Sequence, residues 1–598
     1  MALRTLTIDL QRGHARQFLP ATVERDYLGG RGAIAWLLWN HLPAGTPPLA
    51  PENLLIFAAG PLAGLDGYAS GGFVVGTRSP LTGAIGYSWA QGHWGTALRR
   101  AGYDVLVIRG QAPEWVYLYL DGETVRLRSA AALVGLDTVA TSAALRAELG
   151  DDVLVACLGP AGEHGVAYSS IVAEGRYLAE PAGTGLVMAN KRLKAIVVRP
   201  APGPLPAHDS RRLAAALDVI RRRVERSPLA ARIGTLGSSH LLARATELGA
   251  LTGHNGRSGN LSVSLAGSRD ALATLAGRQS RGCNGCPMPC YFDVVGPQGR
   301  PAPLPDLETV AGFGARCGIS SPDALVAIAE RCLHLGLDPA AASATIAFLM
   351  ECQAEGLSQS TTLPWGDASA VLSALERLAV PQQRRDMLSL GVGEIADVFW
   401  GGAAFAPQVK GLAMPALDPR AMPGIALAAA TAPIGGDYRY SMAYEELVSE
   451  PPAWLPEADA PQSLRARALR LIWHERFAAT LDAIGLCRRL GLMAYQVSPG
   501  ELLALIGAAT GATITATDMA RLGERIVTVE RLFACRYADN GCHDDLPARW
   551  QATPLVEGPA AGQLPPLAEL RAEYYRRHGW NAAGEPTPER LAELGVRG

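Results

Sequence analysis

The sequence contains very little lysine. Only Lys191, Lys194 and Lys410 occur among its 598 residues, and arginine carries the rest of the positive charge. This scarcity argues against the composition rich in lysine and glutamate that is common in hyperthermophiles. The formal net charge is -2, so there is no electrostatic basis for nucleic acid as a main ligand.

Long apolar runs and targeting signals are also missing. No stretch approaches the roughly 20 apolar residues of a membrane span, and the first ten residues show no signal-peptide pattern. Ten cysteines spread over 598 residues do not make the dense disulfide framework of a small secreted protein. We therefore expect a cytoplasmic protein without a membrane span. Hydrophobic residues make up 48% of the chain and charged residues 18%, which is enough for an ordinary globular core.

The chain changes character near residue 200. Before it, short apolar runs bounded by Gly, Pro or Asp predict strands at 54–57, 73–76, 105–108 and 195–198, and a hairpin turns at Asp121-Gly122. Segment 201–206 is a stiff linker rich in proline. Helical spacing follows it, over 213–224, 324–337, 340–355 and 464–535.

The length predicts three or four domains. We predict an α+β protein in which a domain rich in β-sheet, residues 1–205, precedes two mostly α-helical domains, residues 206–410 and 411–598.

Glycine clusters in the first 200 residues without forming a known nucleotide motif. Neither G-x-G-x-x-G nor G-x4-G-K-[ST] is present, although glycines recur at 29–32, 71–72, 83–95 and 183–185. Two interpretations stay open. The glycines could be turns of a sheet domain, or they could let the backbone approach a ligand and turn its N–H groups toward phosphate.

The most informative motif is C-x2-C-x3-C, formed by Cys283, Cys286 and Cys290. Three thiolates with Gly and Pro turns between them can converge on one iron–sulfur cluster, with a fourth thiolate from elsewhere, such as Cys487. A structural zinc site is the nearest alternative, but no second C-x2-C and no H-x3-H accompany the motif. A disulfide is the third interpretation. The other six cysteines lack ligand spacing and are expected in the core: Cys157, Cys317, Cys332, Cys352, Cys535 and Cys542.

Two acids stand in informative places. Glu308 follows the cysteine motif by about eighteen residues and could accept protons if burial raises its pKa; alternatively, Asp306 or Glu308 simply favours a helix N-terminus. Asp482 precedes Cys487 on a helix predicted to end at Gly485. It could accept hydrogen bonds from a heterocyclic cofactor, or it could be an ordinary surface aspartate.

Many short motifs occur in a characteristic order and spacing. They are Tyr27-Leu-Gly-Gly-Arg-Gly32, Pro51-Glu-Asn-Leu-Leu-Ile-Phe57, Arg78-Ser-Pro-Leu-Thr-Gly83, Gly92-His-Trp-Gly95, the cysteine motif, Gly336-Leu-Asp338, Lys410-Gly-Leu412, Asp418-Pro-Arg420, Asp482-x-x-Gly-Leu-Cys487 and Asp544-Asp-Leu-Pro547. By these motifs the chain resembles, over nearly its whole length, the aldehyde ferredoxin oxidoreductase family of tungsten-pterin enzymes.

The resemblance implies a tungsten or molybdenum atom held by two pterins, whose phosphates are bridged by Mg²⁺, beside a 4Fe-4S cluster. It assigns the cluster to Cys283, Cys286, Cys290 and Cys487, and proton acceptance to Glu308. The residues implied in pterin binding are Asp482, Leu486, Leu337 and Asp338, and those implied near the phosphates are Arg78, Ser88, Trp89, Gly92, Gly95, Ala182 and Gly183. The implied substrate is a small molecule, an aldehyde, and the implied partner is ferredoxin or an iron–sulfur subunit. The sequence leaves a homodimer or a hetero-oligomer open.

Four positions depart from the family pattern. Tyr438 stands where a histidine lies near the metal in the family's aldehyde oxidases, and a phenol mostly donates a hydrogen bond where a histidine exchanges a proton. Trp89 replaces an asparagine, Pro181 replaces an arginine, and Leu333 stands where Asp or Asn begins a pterin motif. Two alternatives therefore remain: another redox reaction on this scaffold, such as reduction of a carboxylate or a ring thioester, or a non-catalytic electron-transfer or scaffold paralogue.

Overall fold

Two six-stranded sheets form the first 200 residues of the computed structural model, which describes residues 3–259, 272, 274–275, 277–358, 362–381, 386–448, 451–456 and 460–597. The first sheet has the order β2-β1-β6-β3-β4-β5, with β1 parallel to β6 and the other pairs antiparallel. Its strands are β1 Arg4–Asp9, β2 Gly13–Phe18, β3 Leu55–Ala58, β4 Phe73–Arg78, β5 Ile85–Ala90 and β6 Val105–Arg109.

The second sheet has the order β11-β10-β9-β12-β7-β8, with β12 parallel to β7. Its strands are β7 Val116–Asp121, β8 Thr124–Ser129, β9 Leu154–Leu158, β10 Ile171–Ala173, β11 Tyr177–Ala179 and β12 Leu193–Arg199. Both sheets contribute to one buried core, in which Phe57 and Leu106 of the first meet Leu118 and Ile196 of the second. Where the sheets adjoin, the backbone N–H of Trp89 donates to the carbonyl of Glu180 at 3.1 Å.

Helices dominate after residue 209. Those of the sheet domain are α1 Ala21–Tyr27, α2 Gly30–His41, α3 Trp94–Arg100, α4 Thr138–Leu149, α5 Pro160–Glu163 and α6 Thr184–Asn190. Next come α7 Ser210–Arg226, α8 Pro228–Leu236, α9 Leu242–Leu248, α10 Leu307–Thr309, α11 Pro322–Leu335, α12 Pro339–Ala354, α13 Ala368–Arg377 and α14 Val392–Ala396. The last are α15 Pro423–Thr431, α16 Leu464–Ile484, α17 Pro499–Thr510, α18 Ala516–Tyr537, α19 Ala548–Ala552, α20 Leu567–His578 and α21 Pro588–Leu594.

Shorter elements lie between these helices. Two π-helical segments, Val310–Arg316 and Arg489–Met493, follow α10 and α16. Short strands pair at β13 Gln279–Ser280, β14 Phe292–Val295 and β15 Pro301–Pro303, and again at β16 Gln408–Val409 and β17 Leu412–Ala413. Single 3-10 turns occur at Gly237–Leu241, Met387–Ser389, Gly402–Ala404, Tyr438–Tyr440 and Glu445–Leu447. No helix in the described part of the chain is long and apolar enough to cross a membrane.

The predicted fold class is confirmed: sheets come first and helices follow. Helix α7 buries one face, made of the four apolar residues whose helical spacing predicted it. Helix α16 ends at Gly485, which takes the left-handed conformation of a C-terminal cap. The boundary predicted at 410/411 stays a prediction.

One expectation about the cysteines is wrong. Cys157, Cys317, Cys332 and Cys352 are buried as expected, but Cys535 and Cys542 form a disulfide rather than separate core residues. Helix α18 ends at Tyr537 and the chain turns back at once, which brings the two Cα atoms within 4.9 Å of each other. That separation lies in the range a disulfide requires. A spacing of seven residues along the sequence gave no sign of this reversal.

Candidate active site

The three cysteines of the motif lie in the loop between β13 and β14. The N–H of Cys286 donates to the carbonyl of Cys283 at 2.8 Å. Asn284 and Gly285, between them, both have positive φ, at 40° and 68°, which folds the loop tightly. The fourth cysteine, Cys487, follows the capped end of α16, and its N–H donates to the carbonyl of Ala69 at 2.8 Å.

The four thiols are neighbours in space. Burial, together with the nearby Cys290 and Cys487 thiols, raises the pKa of the Cys283 thiol to about 12. Burial also raises the pKa of Cys286, with contributions from the other three thiols. Among the described residues no three His, Cys, Asp or Glu side chains are grouped closely enough for a single metal ion. The ligands of an iron–sulfur cluster lie farther apart than those of a single metal ion, because each thiolate ligates a different iron.

Three adjoining cavities lie beside this loop. The central cavity is lined among others by Trp89, Glu180, Glu308, Arg439 and Arg488. A second shares Glu180 with it and reaches Cys290, Leu333 and Pro339. A third shares Trp89 and Arg488 with it and reaches Asp482, Leu486 and Cys487. The Asp482 motif therefore reaches the central cavity through the third cavity, whereas Leu337 and Asp338 line none of the three and are represented by their neighbour Pro339 in the second.

Glu308 is the buried acid of the central cavity. Its side chain is 4% exposed, and burial raises its pKa to about 7. The hydroxyl of Tyr438 donates to its Oε1 at 2.7 Å. Its Oε2 is buried and has no hydrogen-bond partner among the described residues. One oxygen is thus fixed and the other is available.

The local sequence explains why Glu308 faces inward. Asp306 takes the helix N-cap, where its Oδ1 accepts the N–H of Thr309 at 3.0 Å. The capping role is therefore filled by Asp306. Helix α10 then continues as the π-helix Val310–Arg316, all of it buried, and such segments are frequent at functional sites.

Asp482 is held by three other side chains. Trp89 donates its indole N–H to Oδ2 at 2.9 Å, Arg31 lies 3.3 Å from the same oxygen, and Arg488 lies 3.2 Å from Oδ1. Arg488 also covers the Trp89 ring, 3.9 Å from its centroid. Asp482 is therefore a buried carboxylate held by two arginines, not a surface residue, and the Trp89 ring lies between the third and the central cavity.

Asp338 performs two functions at the opposite motif. It caps α12, accepting the N–H of Ala340 at 2.9 Å, and its other oxygen lies 3.6 Å from Arg439. Leu337 beside it is fully buried and donates its N–H to the carbonyl of Cys332 at 2.9 Å.

The predicted phosphate segments divide between two places. The hydroxyl of Ser88 contacts the carbonyl of Pro181 and lies 2.8 Å from the hydroxyl of Thr184. Ala182 and Gly183 both have positive φ, and Pro181 lines the central cavity. These residues gather at the edge of the cavity.

Gly92 and Gly95 serve packing. A Cβ on Gly92 would meet Glu174 at 2.5 Å, and one on Gly95 would meet the Gly72 carbonyl at 2.2 Å.

The structure does not bring Arg78 to the central cavity. Its guanidinium donates to the carbonyls of Gly83, Thr46 and Tyr537, at 3.0, 2.5 and 2.5 Å. It lines a separate groove beside Lys410. A motif match alone does not reveal which side of a strand its side chain takes.

Four cavity residues were not predicted from the motifs. Glu180 is part-buried, and desolvation raises its pKa well above the usual range despite Arg439 at 3.3 Å. Arg439, Arg488 and Arg489 line the central cavity with it. Arg488 and Arg489 directly follow Cys487, and Arg439 directly follows Tyr438. Their position next to predicted site residues was the one feature of the sequence that could have indicated them.

Two family models match most of the chain. Residues 5–200 match the N-terminal domain of aldehyde ferredoxin oxidoreductase, and residues 215–596 match its domains 2 and 3. The chain belongs to the aldehyde ferredoxin oxidoreductase family.

Members of this family from archaea cover almost the whole chain. A tungsten-containing aldehyde ferredoxin oxidoreductase of Pyrococcus furiosus is 31% identical over 585 residues, which is 96% of this chain and 95% of that protein. One from Thermococcus kodakarensis is 29% identical over 604 residues, 99% of this chain and 98% of that protein. The chain is thus an oxidoreductase of a tungsten-containing family.

Two more distant relatives are named for other reactions. The WOR-like subunit of an aliphatic sulfonate oxidoreductase of Pyrococcus furiosus is 24% identical over 99% of this chain and 96% of its own length. The active-site complex BamBC of benzoyl coenzyme A reductase, solved with 1,5-dienoyl-CoA, superposes with a TM-score of 0.83, covering 99% of this chain and 96% of its own, at 23% identity. That structure supports the fold alone.

Proposed function

We propose that this protein is a bis-pterin oxidoreductase, containing tungsten or molybdenum and a 4Fe-4S cluster, that oxidises an aldehyde to a carboxylate and passes the electrons to ferredoxin or a similar carrier. The observation that carries the proposal is the buried Glu308, with Oε1 fixed by Tyr438 and Oε2 free in a cavity next to four thiols. Oxidation of an aldehyde by water releases two electrons and three protons, so the site needs both a proton acceptor and an electron exit.

The residues present fit such a cofactor. Among the described residues, the buried Oε2 of Glu308 has no hydrogen-bond partner, and three adjoining cavities extend from Asp482 to the start of α12. Asp482 and Leu486 would hold one pterin, Leu337 and Asp338 the other, and the backbone near Ser88 and Ala182 the Mg²⁺-bridged phosphates. When bound, the cofactor supplies the two-electron oxidation of the substrate carbonyl.

Glu308 is assigned the proton transfer. With a pKa of about 7, the carboxylate and the acid are both populated near neutral pH, which suits a general base. Its free Oε2 accepts a proton from the water that attacks the carbonyl carbon. Donation from Tyr438 to Oε1 keeps the carboxyl group in one orientation, and burial of both side chains excludes bulk water.

Three arginines, Arg439, Arg488 and Arg489, line the central cavity beside three acids, Glu180, Asp306 and Glu308. Arg439 is paired with Asp437 at 2.7 Å and Arg488 with Asp482, so both guanidinium groups are held in place. Their N–H groups are the donors available to the carboxylate product, which is formed from a neutral aldehyde.

A different redox reaction on the same scaffold is the second candidate. The observations that favour it are Tyr438, whose pKa burial raises well above the usual range for tyrosine, and the same arginines, which would hold an anionic substrate. Such an enzyme would work as a reductase of a carboxylate or of a ring thioester.

A substrate screen separates the two candidates. The anaerobically purified holoenzyme is assayed with oxidised viologen and a series of aldehydes, and with reduced viologen and carboxylates or aromatic thioesters. Aldehyde-dependent dye reduction that is lost in Glu308→Gln supports the proposal. Dye oxidation by carboxylates or thioesters, with no reaction toward aldehydes, supports the second candidate instead. No turnover in either direction by a protein with its full cofactor content would contradict both.

A further inference from the structure

Helix α7 is unusually basic for this protein. Its seventeen residues include six arginines and two acidic residues, whereas the whole chain has a formal net charge of -2. The apolar side of the helix is buried through Leu213, Leu217, Ile220 and Val224. Five of the six arginines are exposed on the outer side, and Arg223 is part-buried and pairs with Glu501.

Segment 67–68 connects this helix to the cysteine loop. The hydroxyl of Tyr68 donates to the Leu217 carbonyl at 2.6 Å. The side-chain amide of Asn284, between the first two cysteines, donates to the carbonyl of Gly67 at 3.2 Å. Burial raises the pKa of the Tyr68 hydroxyl. The Cys286 thiol also raises this pKa and the Arg221 guanidinium lowers it, so both groups lie near the hydroxyl. One tyrosine thus separates a predicted cluster ligand from the basic helix.

The charges at this place are exposed. Arg221 and Arg222 are 54% and 58% exposed, and both pair with Asp218 on their own helix. Gly282 and Gly285 of the cysteine loop are also exposed, and a Cβ on Gly285 would lie 3.9 Å from the Cβ of Tyr68. On the neighbouring α8, Arg232 is exposed, and a Cβ on Gly234 would lie 4.0 Å from the Pro289 carbonyl.

We propose that this arginine face, formed by Arg221, Arg222, Arg226 and Arg232 around the exposed glycines of the cysteine loop, docks a small acidic iron–sulfur electron carrier. The inference rests on the proposed function for the origin of the electrons. A carrier that accepts one electron at a time would need two encounters for each two-electron oxidation.

Charge complementarity selects this partner over others. A chain with a net charge of -2 does not attract an acidic protein as a whole. A local basic surface can still orient one, because electrostatic steering depends on nearby charges within a Debye length. Docking here would place the carrier beside the loop of Cys283 and Cys286, which is where the electrons would leave.

The test measures electron transfer without any organic substrate. An acidic bacterial ferredoxin, reduced chemically, is mixed with the oxidised holoenzyme in a stopped-flow instrument, and the second-order rate constant is followed from low to high salt. The variant is Arg221→Glu/Arg222→Glu. We expect its rate constant to be at least about tenfold lower at low salt, with the difference vanishing at high salt.

Helix α20 provides a matched control. Arg576 and Arg577 pair with Glu573 at the same i,i+3 and i,i+4 spacings that join Arg221 and Arg222 to Asp218. Arg576→Glu/Arg577→Glu therefore changes the net charge equally and breaks equivalent helix pairs. It should keep the rate constant within about twofold of the wild type. The neutral variant Arg221→Gln/Arg222→Gln should show an intermediate loss, and it serves as the test if charge reversal prevents folding.

The outcomes are separable from the proposed function. Equal rates for the wild type and both arginine-face variants, or equal losses in the α20 control, would overturn the docking surface. Reduction of the enzyme by viologen should be unchanged in every variant, since a small dye needs no docking face. A failed aldehyde assay would leave this measurement intact, because the ferredoxin reaction does not involve the substrate.

Discussion

At the residue scale, the proposed chemistry depends on the environment of one carboxyl group. Burial raises the pKa of Glu308 to about 7, while Arg439 and the hydrogen bond from Tyr438 act in the opposite direction. Without those two partners the acid would stay protonated at neutral pH, because desolvation favours the uncharged form. The cavity therefore keeps Glu308 close to the midpoint of its titration.

Replacing Glu308 by glutamine should remove the proton acceptor and little else. The amide has nearly the same shape, so we expect tungsten, iron and pterin contents to match the wild type. The turnover number should fall by on the order of 10²–10⁴-fold, the usual contribution of a general base. Steady-state kinetics with a viologen dye, beside metal analysis of the same sample, make the measurement. Wild-type turnover in this variant would remove Glu308 from the mechanism.

The pH profile should follow the same group. The base form of Glu308 increases as pH rises through about 7, so wild-type kcat should rise over that interval. In Tyr438→Phe the hydrogen bond that lowers this pKa is lost, and the rising limb should move to higher pH. Tyr444→Phe is the control, since its ring lies 6.1 Å from that of Tyr438 and, of the residues that the structure describes, Tyr438 is the one that donates to Oε1. An unchanged limb in Tyr438→Phe would show that Glu308 is not the titrating group.

At the element scale, the end of α16 is positioned by a close backbone contact. A Cβ on Gly60 would lie 2.1 Å from the N atom of Gly485, so only glycine permits this approach. Leu62 then donates its N–H to the carbonyl of Ile484 at 2.9 Å. Two residues after Gly485 comes Cys487, so the contact decides where the fourth thiol is delivered.

Gly60→Ala should therefore disturb the cluster from a distance. The added methyl group must push the Gly485 turn away, and with it Cys487. We expect a lower iron content per chain and a lower melting temperature. The control is Gly500→Ala, at a helical position where a Cβ meets nothing within 4 Å, and it should retain iron and be slightly more stable. Full iron content in Gly60→Ala would mean that the turn tolerates displacement.

Sequence patterns predicted elements better than they predicted side-chain positions. The strands, the Asp121-Gly122 hairpin and the apolar side of α7 follow from local periodicity, which the chain carries in each segment. Pairings that join residues hundreds of positions apart carry no such signal. Trp89 with Asp482 and Arg439 with Glu180 are of this kind. The same limitation explains why the predicted site of Arg78 differs from the observed one. Its motif matches the family pattern, but its guanidinium lines the groove beside Lys410 and not the central cavity.

At the scale of the whole molecule, a buried ion pair connects the first domain to the C-terminal helices. Arg31 on α2 and Glu530 on α18 are fully buried and meet at 2.8 Å. The hydroxyl of Tyr440 donates to Glu530 Oε2 at 2.5 Å, and the same arginine contacts Asp482. Assembly of the domains and orientation of a cofactor-site residue therefore share one guanidinium.

Glu530→Gln should weaken this connection strongly. Removing one partner of a buried pair typically costs about 3–5 kcal/mol, because the remaining charge loses its compensation. We expect faster thermal inactivation and a lower cofactor content. Glu593→Gln, which breaks the pair between Arg590 and a half-exposed Glu593, should cost well under about 1 kcal/mol. Differential scanning fluorimetry on both variants gives the comparison, and equal melting temperatures would contradict the assigned role.

The central claim is that this chain houses a bis-pterin centre beside an iron–sulfur cluster, and elemental and pterin analysis tests it most directly. The protein is purified without oxygen from a host that makes the cofactor and is supplied with tungstate and molybdate. The account predicts roughly one tungsten or molybdenum atom, about two pterins and about four irons per chain. Iron alone, with neither metal nor pterin, would contradict it and leave an electron-transfer or scaffold subunit.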